Sequence, residues 1–290
     1  MTFRMKLLLI LFCFFYSNDK ISEEMREYYL LPSNKINLPN HFTKVQTYLK
    51  IYELGAPVPK SILVLKPEAL NRKNIDKFKQ FLGDEYCSLR YQYVKPVDKQ
   101  IRGGKKTQLD SNALKENLNS DYLLWPVQHV DRIKNMYGLN IAFNPDTQTI
   151  IFEIVGRGFD GTDLNKGDIP PHQIVVLRSQ NFRGGFNDFT HKLSTQIVHQ
   201  GQYDKTVVKR RQKLRKLGIC EREIIIPKKF KPIDNYLLRQ LDLYADKIFQ
   251  YFEYREYINI SATVLMNGDI IFWDFQTPKN KSASFFKEDR

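Results

Sequence analysis

Residues 152–172 read FEIVGRGFDGTDLNKGDIPPH: an apolar strand end followed by Gly156, Gly158, Gly161 and Gly167, interleaved with Asp160, Asp163 and Asp168. Glycine lets a backbone approach a ligand closely, and free N–H groups in such a loop can cradle a phosphate. The spacing is neither the GxGxxG of a dinucleotide fold nor a Walker loop. Taken alone, the stretch reads equally as a turn-rich or calcium-like loop.

Working outward, short apolar or alternating runs at LNIAF (139–143), TIIFEIV (149–155) and QIVVLR (173–178) predict strands, the first two joined by the turn-rich NPDTQ. The segment 258–276 reads as a β-hairpin with Asn267 and Gly268 at its turn. Upstream, helical spacing of Phe42, Val45, Leu49 and Tyr52 predicts a helix ending at Gly55, followed by a buried strand at SILVL. A second helix is predicted with Asn74 as its cap, and a strand at CSLRYQYV sets Arg90 on the face opposite Leu89 and Tyr91. A basic helix follows at 205–217. A stronger helix is expected at 235–252, capped by Asp234, with Leu237, Leu241, Tyr244, Ile248 and Phe252 on its buried stripe.

The composition is that of a folding chain, 42% hydrophobic, and the 290 residues suffice for two lobes. A formal charge of +13 favours anionic partners or is a solvated basic surface. Cys13, Cys87 and Cys220 have no zinc or disulfide spacing, which fits a reducing compartment such as the cytoplasm. Arg4 and Lys6 before the apolar run 7–16 instead have the shape of an export or anchoring signal, too short to be a transmembrane helix. A buried N-terminal strand, or a start at Met5 or Met25, are the competing readings of that segment.

Several segments together resemble the ATP-grasp domain of phosphoenolpyruvate synthase and pyruvate phosphate dikinase. Lys44 stands eleven residues before Gly55, which opens GAPVP. Arg90 on a strand, Gly103 and Gly104 in IRGGKK, Glu153 before GRG, and Gly167 with Pro171 then follow in that family's order. The resemblance runs from about Lys44 to Pro278. It implies an α+β fold of two lobes, 40–130 and 131–280, with largely antiparallel sheets flanking an ATP cleft, an N-terminal extension 1–39 and a tail 281–290.

The resemblance further implies that Lys44 and Arg90 contact ATP phosphates, and that Glu153, Gly156, Gly158 and Gly167 line the nucleotide. Asp274 and Gln276, two apart on a strand and therefore on one face, would hold Mg²⁺. Arg90 and Asp274 are the expected catalytic groups. The carboxylate expected on the preceding strand falls near Ser261, with Asn259 close by, a departure that bears on turnover more than on binding. No phosphohistidine domain follows in the sequence, so the phosphate acceptor would be another molecule.

The implied activity is an ATP- and Mg²⁺-dependent phosphotransferase or carboxylate ligase. The rival is a non-catalytic nucleotide- or nucleic-acid-binding protein using the basic helix 205–217. His129 and His172 are candidate acid–base groups, although a lone histidine is more often structural.

Overall fold

In the computed structural model, described over residues 27–33, 38, 43–94, 105–130, 134–165, 167, 169–179, 191–216, 218 and 226–276, the chain forms two compact units. One comprises 1–33 with 60–129, the other 34–59 with 130–290. The helix expected to open the first lobe thus packs in the second unit, whereas the other boundary falls at 129/130. Gly103, Gly104, Asp168, the apolar run 7–16, Cys13 and Cys220 lie outside the described residues.

The first unit has five antiparallel strands, β1 (Tyr28–Leu31), β2 (Ser61–Val64), β3 (Tyr86–Tyr93), β4 (Lys105–Gln108) and β5 (Tyr122–Gln128), in the order β1-β2-β5-β3-β4. The helix Arg72–Leu82 packs Ile75, Phe78 and Leu82 against Ile62, Val64, Cys87, Leu89 and Leu124. Its cap is Asn71, not Asn74: Asn71 Oδ1 accepts from the Asn74 N–H at 3.0 Å. Pro126 stands inside β5, and a proline cannot donate to a ladder. β5 pairs with β3 over seven residues but with β2 only at Ser61↔Val127. Side chains reinforce that single bridge, Trp125 Nε1 donating to Ser61 Oγ at 2.9 Å and Lys60 N–H to Gln128 Oε1 at 3.3 Å.

The second unit is built on a six-stranded antiparallel sheet of β6 (Asn135–Asn144), β7 (Thr149–Val155), β8 (Gln173–Ser179), β9 (His191–Val198), β10 (Ile258–Leu265) and β11 (Ile270–Gln276), in the order β11-β10-β6-β7-β8-β9. The expected α+β architecture with two antiparallel sheets is therefore present. One face of this sheet is apolar, because Leu139, Ile141 and Phe143 alternate with Asn140 and Ala142, and stand opposite Ile154, Phe152 and Ile150. The core beneath is completed by the helix Asn235–Tyr251, capped by Asp234 through the Leu237 N–H at 2.9 Å.

That helix buries Leu238, Leu241, Ala245, Ile248 and Phe249, so its inner stripe is turned from the expected one, and it carries Asp242 and Asp246 inward as well. His191 at the start of β9 sets Nδ1 2.9 Å from Asp242 Oδ1 and Nε2 4.0 Å from Asp246 Oδ1. Tyr254 and Gln250 donate to Asp246, while Asp242 Oδ2 has no partner among the described residues. Burial raises the Asp242 pKa, and the His191 hydrogen bond and charge oppose this.

A buried charge stripped of its partner costs about 3–5 kcal/mol. His191→Leu should therefore lower stability by about that amount in urea titrations, and adding Asp242→Leu should restore part of it. A loss in the double variant equal to the sum of the His191→Leu and Asp242→Leu single losses would show that the pair is not coupled.

Candidate ligand face of the six-stranded sheet

The face opposite the apolar core carries a row of polar side chains fixed by register. Asp274 on β11 is paired with Ser261 on β10, Ser261 with Asn140 on β6, and Asn140 with Glu153 on β7. One residue along, Gln276 is paired through the ladder with Asn259, and Asn259 with Ala142. The position opposite Asp274 is thus Ser261, as the resemblance implied, and a β-bulge immediately follows it.

Strands lie about 4.8 Å apart, so three strand steps separate Asp274 from Glu153 by about 14 Å. A single small ion cannot join them. Among the described residues no three His, Cys, Asp or Glu side chains cluster as metal ligands. Asp274 is half-buried. Glu153 is half-buried, and burial raises its carboxyl pKa, opposed by a 3.4 Å hydrogen bond from Asn140 Nδ2. Asn140, only 3% exposed, keeps Oδ1 without a partner among the described residues, and Asn259 Oδ1 is likewise buried and unpaired there. An unsatisfied buried polar atom costs about 1–3 kcal/mol, so two on one face mark a place where a ligand would be stabilised.

Lys44 lies on the helix Thr43–Glu53, half-buried, in the same unit as this sheet. Val45, Tyr48, Leu49 and Ile51 are buried, whereas Tyr52, expected on the inner stripe, is exposed. The chain after the helix follows the edge of β11, with the Phe272 N–H donating to Pro57 O at 2.8 Å. Asp274 and the Lys44 helix are therefore parts of one substructure. Arg90 belongs to the other unit, paired on the ladder with Trp125 and with its guanidinium 5.7 Å from that ring centre.

The glycine loop after β7 folds back onto the polar face. A Cβ on Gly138, the residue two before Asn140, would lie 2.4 Å from the Asp160 Cα, so the loop backbone rests directly on that strand. The loop satisfies many of its own donors: Asp160 and Asp163 accept from each other's N–H, and Phe159 N–H donates to Gly156 O. Gly156 N–H donates to His172 Nδ1 at 3.0 Å, and a Cβ there would strike Phe230 at 2.8 Å, so this glycine is occupied with packing. Gly158 and Gly167 have positive φ, +88° and +68°. The basic helix Gln200–Lys216 holds the loop from the side, Arg210 donating to Gly158 O and Arg211 to Ile226 O.

His172 is fully buried among Phe159, Tyr203 and Phe230. Thr206 donates its hydroxyl to Tyr203 O, so it accepts from His172 Nε2–H at 2.8 Å, and the ring is neutral. Burial lowers its pKa to about 4. His172 is a strut between the loop and the basic helix. His129 sets Nδ1 3.2 Å from Ser88 Oγ in the other unit.

No family model and no curated protein matches the chain. Among solved structures it is similar to D-alanyl-alanine synthetase A from Vibrio cholerae (13% identity, 82% of this chain, 55% of that one, TM-score 0.40). It is also similar to the macrocyclase MdnC bound with precursor peptide from Microcystis aeruginosa (12%, 95% and 64%, 0.37). A third is carboxyaminoimidazole ribonucleotide synthase from Aspergillus clavatus complexed with ATP (8%, 81% and 44%, 0.41). The chain spans 44–64% of the length of these three proteins, none of which is a phosphoenolpyruvate synthase or dikinase. Among the described residues no helix is long and apolar enough to cross a membrane.

Two outcomes follow from this geometry. Gly138→Ala forces the Asp160 backbone off the sheet and should destabilise by about 1–3 kcal/mol, read as a lower urea midpoint. For His172 the folded pKa lies below the unfolded 6.5, so stability is unaffected above pH 6.5 and falls as pH drops towards about 4. The loss should approach about 3 kcal/mol, and His172→Gln should flatten the pH dependence over that interval.

Proposed function

We propose that the protein binds ATP with Mg²⁺ at the β10–β11 end of the polar face and transfers a phosphoryl group or activates a carboxylate on a separate acceptor. The observation that carries this reading is the register. It stands Asp274 and Gln276 along β11, opposite Ser261 and Asn259, on a strand whose edge is followed by the chain leaving the Lys44 helix. A single carboxylate suits Mg²⁺ held mainly by phosphate oxygens and water, as nucleotide-bound magnesium usually is. In this reading Asp274 and Gln276 would hold the ion, which would supply charge neutralisation at the phosphates when bound. Lys44, in the same unit as Asp274, would contribute a point charge to the phosphates. In this reading the chain is an ATP-grasp enzyme that resembles the phosphoenolpyruvate synthase type in the order of its motifs.

Ser261 opposite Asp274 favours a second reading, nucleotide binding without turnover, because the position facing the carboxylate offers a hydroxyl where a second carboxylate would neutralise more cation charge.

Nucleotide at about 100 times its dissociation constant stabilises by about 2.7 kcal/mol. Millimolar ATP with Mg²⁺ should therefore raise Tm, and Lys44→Ala should reduce the rise with or without the ion. Asp274→Asn should remove chiefly the Mg²⁺-dependent part, and in an enzyme most ATP consumption. A folded wild type with no ATP-dependent shift refutes the proposal. Loss of the Mg²⁺ advantage in Asp274→Asn without any wild-type turnover selects the second reading.

A further inference from the structure

The middle of the polar face holds two amide oxygens that the nucleotide reading does not use, beside Glu153, which the resemblance sets at the nucleotide. Asn140 is buried, its Nδ2 turned to Glu153 and its Oδ1 without a partner among the described residues. Asn259 Oδ1, also buried and unpaired among the described residues, belongs to a residue one strand over and one diagonal away, because Ser261 lies opposite Asn140 and Asn259 opposite Ala142. Two amide oxygens and one carboxylate are all acceptors, so the missing ligand is a donor or a cation.

Charge and reach discriminate between these. Diagonal residues on neighbouring strands are about 7–8 Å apart at Cα. Mg²⁺ draws its ligand oxygens to about 3 Å from one another and favours carboxylates, whereas two neutral amide oxygens and one carboxylate carry too little charge for a divalent ion. An ammonium with N–H···O distances of about 2.9 Å spreads its acceptors to nearly 5 Å and needs only a single countercharge. The positive charge is matched by Glu153 beside Asn140, and the hydrogen bonds would be charge-assisted.

We propose that Asn140, Asn259 and Glu153 form a recognition site for a primary ammonium group, the handle by which the acceptor molecule is held on the sheet beside the nucleotide. This deepens the ATP-dependent transfer reading and rests on it only for the word acceptor; the ammonium site itself stands on the unpaired oxygens. The ammonium anchors the molecule and is not the reacting atom.

The test measures Tm of the full chain in methylammonium, potassium and sodium chloride at equal ionic strength, with and without ATP and Mg²⁺. At about ten times its dissociation constant methylammonium should raise Tm by about 2–4 °C over sodium. Asn140→Leu, which replaces an unsatisfied amide by an apolar group of similar volume, should fold and lose this difference. Should that variant fail to fold, Asn259→Leu serves in its place, and Glu153→Gln should weaken the response in either case. Equal midpoints in all three salts overturn the site. A potassium response equal to that of methylammonium overturns the hydrogen-bond-donor assignment. An ATP shift without a methylammonium shift refutes the site and leaves the nucleotide reading intact, whereas the reverse result keeps the site and removes the nucleotide.

Discussion

The apolar packing beneath the six-stranded sheet is the constraint on which the candidate site depends. Side chains alternate along a strand, so a slip of one residue would send Ile141, Phe152, Val175 and Ile260 to the wrong side. Each of these contributes about 1.5–3 kcal/mol by being buried. The register is thus set by hydrophobic burial under the helix Asn235–Tyr251, and the alignment of Asp274, Ser261, Asn140 and Glu153 follows without any attraction among them. The same core tolerates the buried His191, Asp242 and Asp246 only because each has a hydrogen-bonding neighbour.

The glycine loop shows how one short segment can pack into the core on several sides. Its glycines permit two close approaches, at Phe230 and, from the facing strand, at Gly138. Its donors are directed at His172 and at its own aspartates. Arg210, which looked from the sequence like surface charge, closes the loop against the basic helix by donating to Gly158 O, and Arg211 donates to Ile226 O beyond that helix. A cluster of glycine and aspartate after a strand therefore carries less phosphate-binding information than its composition suggests.

Strong periodicity was legible before the structure was known: the 235–252 helix with its Asp234 cap, the strands at 149–155 and 173–178, and the hairpin turn at Asn267 and Gly268 all appear. Missed were the four-residue β1 and β4, too short to show alternation, β5, whose Pro126 argues against a central strand, and β9, whose mostly exposed residues offer no apolar alternation. Tyr52 misled the reading of its helix because tyrosine is at home on either side. At the candidate site, the β10–β11 register followed from counting residues across the turn. Asn140 could not be found that way, since an asparagine within an apolar strand announces neither its neighbours nor an unpaired oxygen.

Pro126 gives the five-stranded sheet an internal seam. With a single bridge joining β2 to β5, the β1–β2 pair and the β3–β4–β5 ladder are two hydrogen-bonded blocks stitched by Trp125, Ser61, Lys60 and Gln128. Cooperativity of unfolding follows the density of such links, and sub-global opening begins where they are sparse. Opening of this sheet is expected to start at the seam, restrained by Ile62 and Val64 of β2, which share one apolar core with Leu89 and Leu124 of the larger ladder.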